Sequence, residues 1–266
     1  MADLVSRAYE SVFGWLARGH ESRRVAHARL VRDPRVPSVW DANLAGEVRA
    51  RAPAEIAALL AAADAHYADF AARSFFWDPQ MPAEFEARLV LDGYTPRSED
   101  LILVLEGELA QRGPRIDLRP VESDADWAAL EALYRLDHDE EVALGFHEPW
   151  GAEVTRQLVF AKRLKGPDVR FLLARVDGVD CAFFSGWPGE NGVGQVEDLF
   201  TRSDFRGRGI ATALIAACVD DARKRGAGPV LISARSNDTP KQMYAALGFR
   251  PLCVERIYDR TGVIPR

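Results

Sequence analysis

The sequence predicts an α/β (α+β) fold in two unequal parts, and three observations carry that reading. Short runs rich in Val, Leu, Ile and Phe, such as 169–176 and 229–235, alternate with longer segments whose apolar residues recur at helical spacing. Asp177-Gly178 joins two of the β-type runs as a tight hairpin. The alternation lapses once, in Gly107-Glu-Leu-Ala-Gln-Arg-Gly-Pro, which marks a linker and divides the chain into residues 1–112 and 113–266.

In chain order, Leu4, Val5, Ala8, Val12, Phe13 and Leu16 predict an amphipathic helix over about 1–23. Strands are expected at 25–31, before Asp33-Pro34, and at 40–48, after Pro37. Pro53 suits the first turn of a long Ala- and Leu-rich helix reaching Ala72. A short aromatic strand at Phe75-Phe76-Trp77, a helix over 82–91, a break at Gly93 and a strand over 101–105 complete the first part. In the second part a strand at 116–120 precedes a helix capped by Ser123 and reaching about Leu136, then a helix over 152–164. The hairpin strands and a third strand at 194–201 follow. A helix from Ile210 is stopped by Gly226 and Gly228, and a buried-looking strand, a helix over 239–247 and a strand over 254–258 close the chain. One internal echo crosses the linker: laying Gly93-Tyr94 on Gly248-Phe249 superimposes helix, Gly-aromatic pair and strand, with Leu89 where Tyr244 stands.

Composition narrows the function classes. The chain has 266 residues, 48% of them hydrophobic and 28% charged, which is ordinary for a globular protein with a real core. Its 34 Lys and Arg against 40 Asp and Glu give a net charge of −6, which speaks against sequence-independent attraction to nucleic acid. Cys181, Cys218 and Cys253 are odd in number and far apart, so neither a disulfide framework nor a zinc site is expected, and Cys181 and Cys218 read as core. No stretch approaches the roughly 20 apolar residues of a spanning helix, and a cytoplasmic protein without a membrane partner or metal is expected.

The stretch from Val196 to Val219 carries the chemistry. Arg206-Gly207-Arg208-Gly209 before a helix lets the backbone approach an anion, while unpaired N–H groups and the positive helix end attract it. No Gly-Lys-Ser/Thr follows, so the turn is not a P-loop. Glu197 and Asp198 would point to opposite faces of a regular strand and can serve one site only if the strand bulges. Asp137-His-Asp-Glu-Glu reads as a solvated acidic loop, with the lining of a cationic pocket as the alternative.

Arg206-Gly-Arg-Gly-Ile-Ala resembles the R-x-x-G-x-A/G signature of the GNAT acetyltransferase superfamily, and Asn237-Asp-Thr-Pro-Lys-Gln-Met-Tyr-Ala-Ala-Leu-Gly-Phe is similar to a later motif of that family. The resemblance covers about Ile116 to the C-terminus. It implies a mixed, mostly antiparallel sheet with flanking helices, in which two adjacent strands splay to admit acetyl-CoA. It also implies that Leu199, Phe200, Thr201, Arg206, Gly207, Arg208, Gly209, Ile210, Ala211 and Asn237 bind that cosubstrate. Val196-Glu-Asp-Leu-Phe-Thr resembles the equivalent strand of polyamine acetyltransferases, which makes Glu197 the candidate proton acceptor and Asp198 a candidate contact to the acceptor. Tyr244 is the candidate acid for the leaving thiolate, with core packing as the alternative. The first part is expected to be a degenerate GNAT-like half without a cofactor site, or a helical cap.

A primary amine with a pKa of about 10.4 is neutral in roughly one molecule in a thousand at pH 7, so its deprotonation costs roughly 4–5 kcal/mol and a carboxylate beside it is chemically useful. The sequence thus points to an N-acetyltransferase acting on a primary amine of a small molecule, of polyamine, aminoglycoside or amino-acid type. The alternatives are a non-catalytic acyl-CoA sensor and an enzyme acting on protein lysines or N-termini. A homodimer stays open. An aspartate at Gly209 is expected to abolish acetyl-CoA binding without unfolding the domain.

Overall fold

A computed structural model describes residues 2–146, 148–237 and 239–261. Helix α1 (Ala2–Ala17) buries Ala8, Val12, Phe13, Trp15 and Leu16 on one face. It ends earlier than the apolar spacing suggests, because Gly19 turns left-handed at φ 80° against the Leu164 carbonyl and Lys165 donates to the Trp15 and Leu16 carbonyls at 2.7 and 3.1 Å. The expected strand at 25–31 is a hairpin, β1 (Glu21–Val25) and β2 (Ala28–Arg32), with its turn at Ala26-His27. The expected strand at 40–48 is a 3₁₀ turn (Trp40–Ala42) and a two-residue β3 (Ala45–Gly46). Polar side chains explain the difference: Asn43 donates to the Val36 and Val39 carbonyls and accepts from the Asp33 N–H, which holds the loop without a ladder.

Helix α2 (Pro53–His66), β4 (Ala72–Trp77), α3 (Ala83–Leu91) and β5 (Thr95–Leu105) follow. Residues 106–116 form no regular element. They lie along a later helix, where Arg112 meets Asp220 at 2.6 Å and Arg223 donates to the Gly107 carbonyl at 2.6 Å. Beyond them come β6 (Asp117–Pro120), α4 (Asp124–Ala143), α5 (Ala152–Leu164), β7 (Arg170–Val176), β8 (Val179–Trp187), β9 (Gly194–Thr201), α6 (Ile210–Lys224), β10 (Val230–Arg235), α7 (Pro240–Ala246) and β11 (Arg250–Thr261). Ser123 caps α4 as its sequence suggests, accepting from the Asp126 N–H at 3.2 Å. The acidic run Asp137-His-Asp-Glu-Glu, expected as a solvated loop, instead continues α4 and buries His138.

All described strands join one sheet in the order β1-β2-β3-β4-β11-β5-β10-β9-β8-β7-β6, antiparallel except at β3/β4 and β9/β10. One core lies between this sheet and α1, α4 and α5; on the opposite face a second core packs under α6 and α7, and a third around α2 and α3. The order of strands crosses the linker: β11 lies between β4 and β5, and β5 lies between β10 and β11. The β5/β11 register reads the same in both directions about one pair, Asp100 and Glu255. Val104 faces Arg250 as Asp259 faces Thr95, and Ile102 faces Cys253 as Ile257 faces Ser98. The helix ends repeat too, with Tyr94 donating to the Leu89 carbonyl at 2.9 Å and Phe249 to the Tyr244 carbonyl at 3.1 Å. Gly93 and Gly248, at φ 84° and 99°, make both turns.

Candidate active site

Strands β9 and β10 run parallel and pair only from Gly194/Val230 to Val196/Ile232. Beyond that point β9 continues to Thr201 and β10 to Arg235 with no further pairing, so the two strands part into a cleft. Glu197 is the first residue past the last pair. Between Phe183/Phe200 and Ser185/Glu197 the β8/β9 register shifts, with one extra residue on β9, and Asp198 adopts φ 65°. This bulge is the distortion that two neighbouring acids need in order to share a face.

The bulge gives the two acids different partners. Glu197 Oε1 accepts from Ser233 Oγ at 2.8 Å and from Gln195 Nε2 at 3.0 Å. Burial and the adjacent Asp198 push its pKa up to about 7, against the lowering effect of those hydrogen bonds and of Lys162. Asp198 turns to α5, where its Oδ1 lies 3.0 Å from Lys162 Nζ, and Ser185 Oγ donates to its other oxygen at 3.4 Å. Lys162 also reaches Asp41 at 3.4 Å and stacks over the Trp15 ring at 4.2 Å. Burial alone would pull the Lys162 ammonium down, yet Asp198 and Asp41 hold it above the ordinary lysine range. Lys165, beside it with only 1% of its surface exposed, is pulled down by burial to about 7. The spacing of Asp41, Lys162 and Lys165 gave no sequence signal, because the three meet only through the packing of α1, α5 and the 33–43 loop.

On the far side of the cleft the 3₁₀ turn Ser203–Phe205 leads into Arg206-Gly207-Arg208-Gly209. Gly207 and Gly209 are left-handed, at φ 74° and 75°. The first bond within α6 runs from Ala213 N–H to the Gly209 carbonyl at 3.1 Å, so the N–H groups of Ile210, Ala211 and Thr212 have no acceptor in their own helix. Arg206 is tied to the Thr201 carbonyl at 2.8 Å and to Glu140 of α4, and Arg208 lies over the Phe205 ring at 4.9 Å. The space beside Gly207 is open, whereas a Cβ on Gly209 would come within 2.7 Å of Pro114 Cδ. An aspartate at Gly209 would therefore press on the linker as well as on an anion, whereas at Gly207 it meets no neighbour and adds only the strain of a left-handed backbone, which Asp tolerates better than most residues.

Among the remaining expected residues, Leu199, Phe200 and Thr201 lie on β9 beyond its last pair with β10, with Phe200 buried toward α4. Asn237 is exposed just past the end of β10. Tyr244 is 4% exposed on α7, its ring 6.3 Å from that of Phe249 in the core beneath α6. Cys181 and Cys218 are buried in that same core, and burial raises both thiols. Asp137, half-buried on α4, is raised to about 8 by burial and by Glu141 and Glu140. Two other cavities, of about 480 Å³ beside α1 and about 540 Å³ between β7 and the start of α4, contain none of the residues expected to act.

The cleft, the unspent N–H groups and the open glycine fit a thioester cosubstrate with a pyrophosphate. Residues 127–249 match the model of the acetyltransferase (GNAT) family. The C-terminal half carries a GNAT acetyltransferase domain. No curated protein sequence matches the chain. Solved structures share the architecture of the GNAT domain together with the part before it. A GCN5-related N-acetyltransferase from Kribbella flavida is 19% identical, with 96% of this chain and 95% of that one covered at a TM-score of 0.67. A conserved protein of unknown function from Staphylococcus epidermidis is 14% identical, over 92% and 95%, at 0.64. A tandem GNAT protein from the clavulanic acid biosynthesis pathway is 17% identical, over 91% and 82%, at 0.60.

The sheet register sets the N-terminal half against the C-terminal one. Phe75 on β4 stands where Ile232 stands on β10, so its neighbour Ala45 corresponds to Val196, Gly46 to Glu197 and Glu47 to Asp198. Glu47 has φ 52°, the counterpart of the bulged Asp198. At the position of the candidate base there is a glycine, and a Cβ there would lie 2.3 Å from Phe13 Cε2. Helix α1 thus fills the space that a carboxylate would need. No helix among the described residues is long and apolar enough to cross a membrane, and no described group of three or more His, Cys, Asp or Glu could hold a metal.

Proposed function

We propose that this protein is an acetyl-CoA-dependent N-acetyltransferase whose acceptor is a primary amine of a small cytoplasmic molecule, with one active site, in residues 113–266. Residues 1–112 are read as a second GNAT-like half that has lost its site and lends strand β5 to the working one. The observation that carries this reading is Glu197, placed by a bulge at the point where β9 and β10 part and held at a pKa of about 7, where a general base is most useful.

In this reading the N–H groups opening α6 and the Arg206–Gly209 turn hold the pyrophosphate, and Leu199–Thr201 and Asn237 flank the pantetheine arm. Glu197, directly or through a water, takes the proton of the substrate ammonium. The freed amine nitrogen then bonds to the acetyl carbon, the carbon–sulfur bond breaks with the leaving sulfur taking the Tyr244 proton, and the surplus proton of the nitrogen passes through solvent to restore the tyrosine hydroxyl. Asp198 borders the acceptor side, and its pairing with Lys162 supports a second task, that of fixing the bulge. Release of free thiol from acetyl-CoA, followed over a panel of small amines, tests the proposal. Amine-dependent release that Glu197→Gln suppresses is expected; acetyl-CoA binding without release on any amine or on a lysine peptide would leave a sensor.

A further inference from the structure

The parting of β3 from β4 leaves a space in the N-terminal half that acetyl transfer does not use. The two strands pair only at Ala45/Phe75, and past that point the cavity of about 480 Å³ opens between their ends and helix α1. Its volume falls within the roughly 300–1,000 Å³ of small-molecule sites. Tyr9, Phe13 and Phe76, each at most 4% exposed, pack on one another and line it with aromatic surface. Glu47, the counterpart of Asp198, also lines it, but the charge around the acid is reversed. Asp198 shares one cation, Lys162, with a second carboxylate, whereas Glu47 alone faces two guanidiniums, Arg24 at 2.8 Å and Arg29 at 3.6 Å. The Arg29 side chain is only 23% exposed and lies over the Phe13 ring at 5.6 Å. Its Nε donates to Ser22 Oγ at 2.6 Å, and neither of its Nη atoms has a hydrogen bond among the described residues. On the α1 side, Glu10 accepts from the Asn191 amide at 3.0 Å through one oxygen, while Glu190 pairs with Arg18. Arg49 and Asp78 satisfy each other at 3.0 Å.

We propose that this cavity is a binding site for a free α-amino acid with an apolar side chain, held there without reacting. The ligand's carboxylate takes the open Nη atoms of Arg29, so that two carboxylates stand against the two guanidiniums of Arg24 and Arg29. Glu10 lies three residues before Phe13 on one face of α1, close to the guanidinium stacked on that ring, and receives the ammonium. The side chain lies against Phe13 and Phe76. A ligand with only a negative charge would meet Glu10, Glu47 and Glu190, and one with only a positive charge would meet Arg24 and Arg29, so a zwitterion suits the lining best. The half has no means of acetylating what it holds. Gly46 stands at the position of the base with Phe13 in the space beyond it, and Glu55 already occupies the N–H groups of Arg51 and Ala52 before α2. The proposal is independent of acetyl transfer in the C-terminal half.

Calorimetric titration of the whole chain with L-phenylalanine and L-leucine tests this, beside L-phenylalanine amide, which lacks the carboxylate, and 3-phenylpropanoate, which lacks the ammonium. At least one of the two amino acids is expected to bind at one equivalent, and the two analogues about tenfold more weakly than L-phenylalanine or its leucine counterparts than L-leucine, as the loss of a charge-assisted contact implies. Arg29→Gln should remove binding. Arg24→Gln and Glu10→Gln, at exposed positions outside the core, should each weaken it about tenfold while leaving the melting temperature and the affinity for acetyl-CoA unchanged, which separates loss of the site from loss of the fold. Glu197→Gln should leave amino-acid binding as it is. Binding that Glu197→Gln weakens and Arg24→Gln and Glu10→Gln do not would place the amino acid in the C-terminal cleft and overturn the proposal. Analogues that bind as tightly as the amino acids, or no binding of either amino acid at millimolar concentration, would overturn it as well.

Discussion

Glu197 and Tyr244 make the sharpest residue-scale claims. A base must be ionised to act, so with Glu197 held at about 7 the wild-type kcat/KM should climb as pH rises through neutrality. Glu197→Gln should cost about 10²–10⁴-fold near pH 7, with partial recovery at high pH where solvent deprotonates the amine. An equal loss at every pH would assign the residue to holding the strand. If the hydroxyl acts on the leaving thiolate as proposed, Tyr244→Phe should lower kcat more than it raises KM for acetyl-CoA. Unchanged kcat would make Tyr244 a packing residue, which its burial beside Phe249 also suits. Both residues were legible in the sequence because they fall inside contiguous motifs. Lys162, Asp41 and Arg29 were not, because each acquires its meaning from partners far along the chain.

At the scale of elements, the bulge in β9 and the start of α6 do the positioning. The sequence showed that Glu197 and Asp198 need a bulge to share a face, but whether one forms depends on β8, on Ser185 and on Lys162 of α5, which no local pattern reports. Lys162→Met should destabilise the protein by about 3–5 kcal/mol in denaturant titration, because two buried carboxylates lose their shared cation. A change within experimental error would remove the Asp198–Lys162–Asp41 cluster from the account of the bulge. The strands of the N-terminal half were the hardest elements to read. In 25–31 a hairpin turn interrupts an apparently continuous run, and in 40–48 the Asn43 side chain replaces ladder pairing with loop hydrogen bonds while Asp41 turns to Lys162 of α5.

Across the whole molecule, the echo of Gly93-Tyr94 in Gly248-Phe249 was legible because each Gly-aromatic pair ends a helix in the same way. The interleaving of β5 and β11 was not, since a period-two pattern says which face a residue takes and nothing about which strand lies beside it. That interleaving binds the two halves into one sheet, while Gly46, with Phe13 pressed against it, leaves the first half without a counterpart to Glu197. Its helix α2 opens on Ala52-Pro53, with a missing N–H at Pro53 and with Glu55 drawn back onto the Arg51 and Ala52 N–H groups at 2.9 and 3.0 Å, so no anion is welcome there. The most direct measurement of the account is calorimetric titration of acetyl-CoA into the whole wild-type chain and into Gly207→Asp, whose carboxylate enters open space beside the α6 N-terminus. One equivalent should bind to wild type and none to the variant, with both melting as folded proteins. Two equivalents on wild type, or one still bound to the variant, would contradict a single site in the C-terminal half.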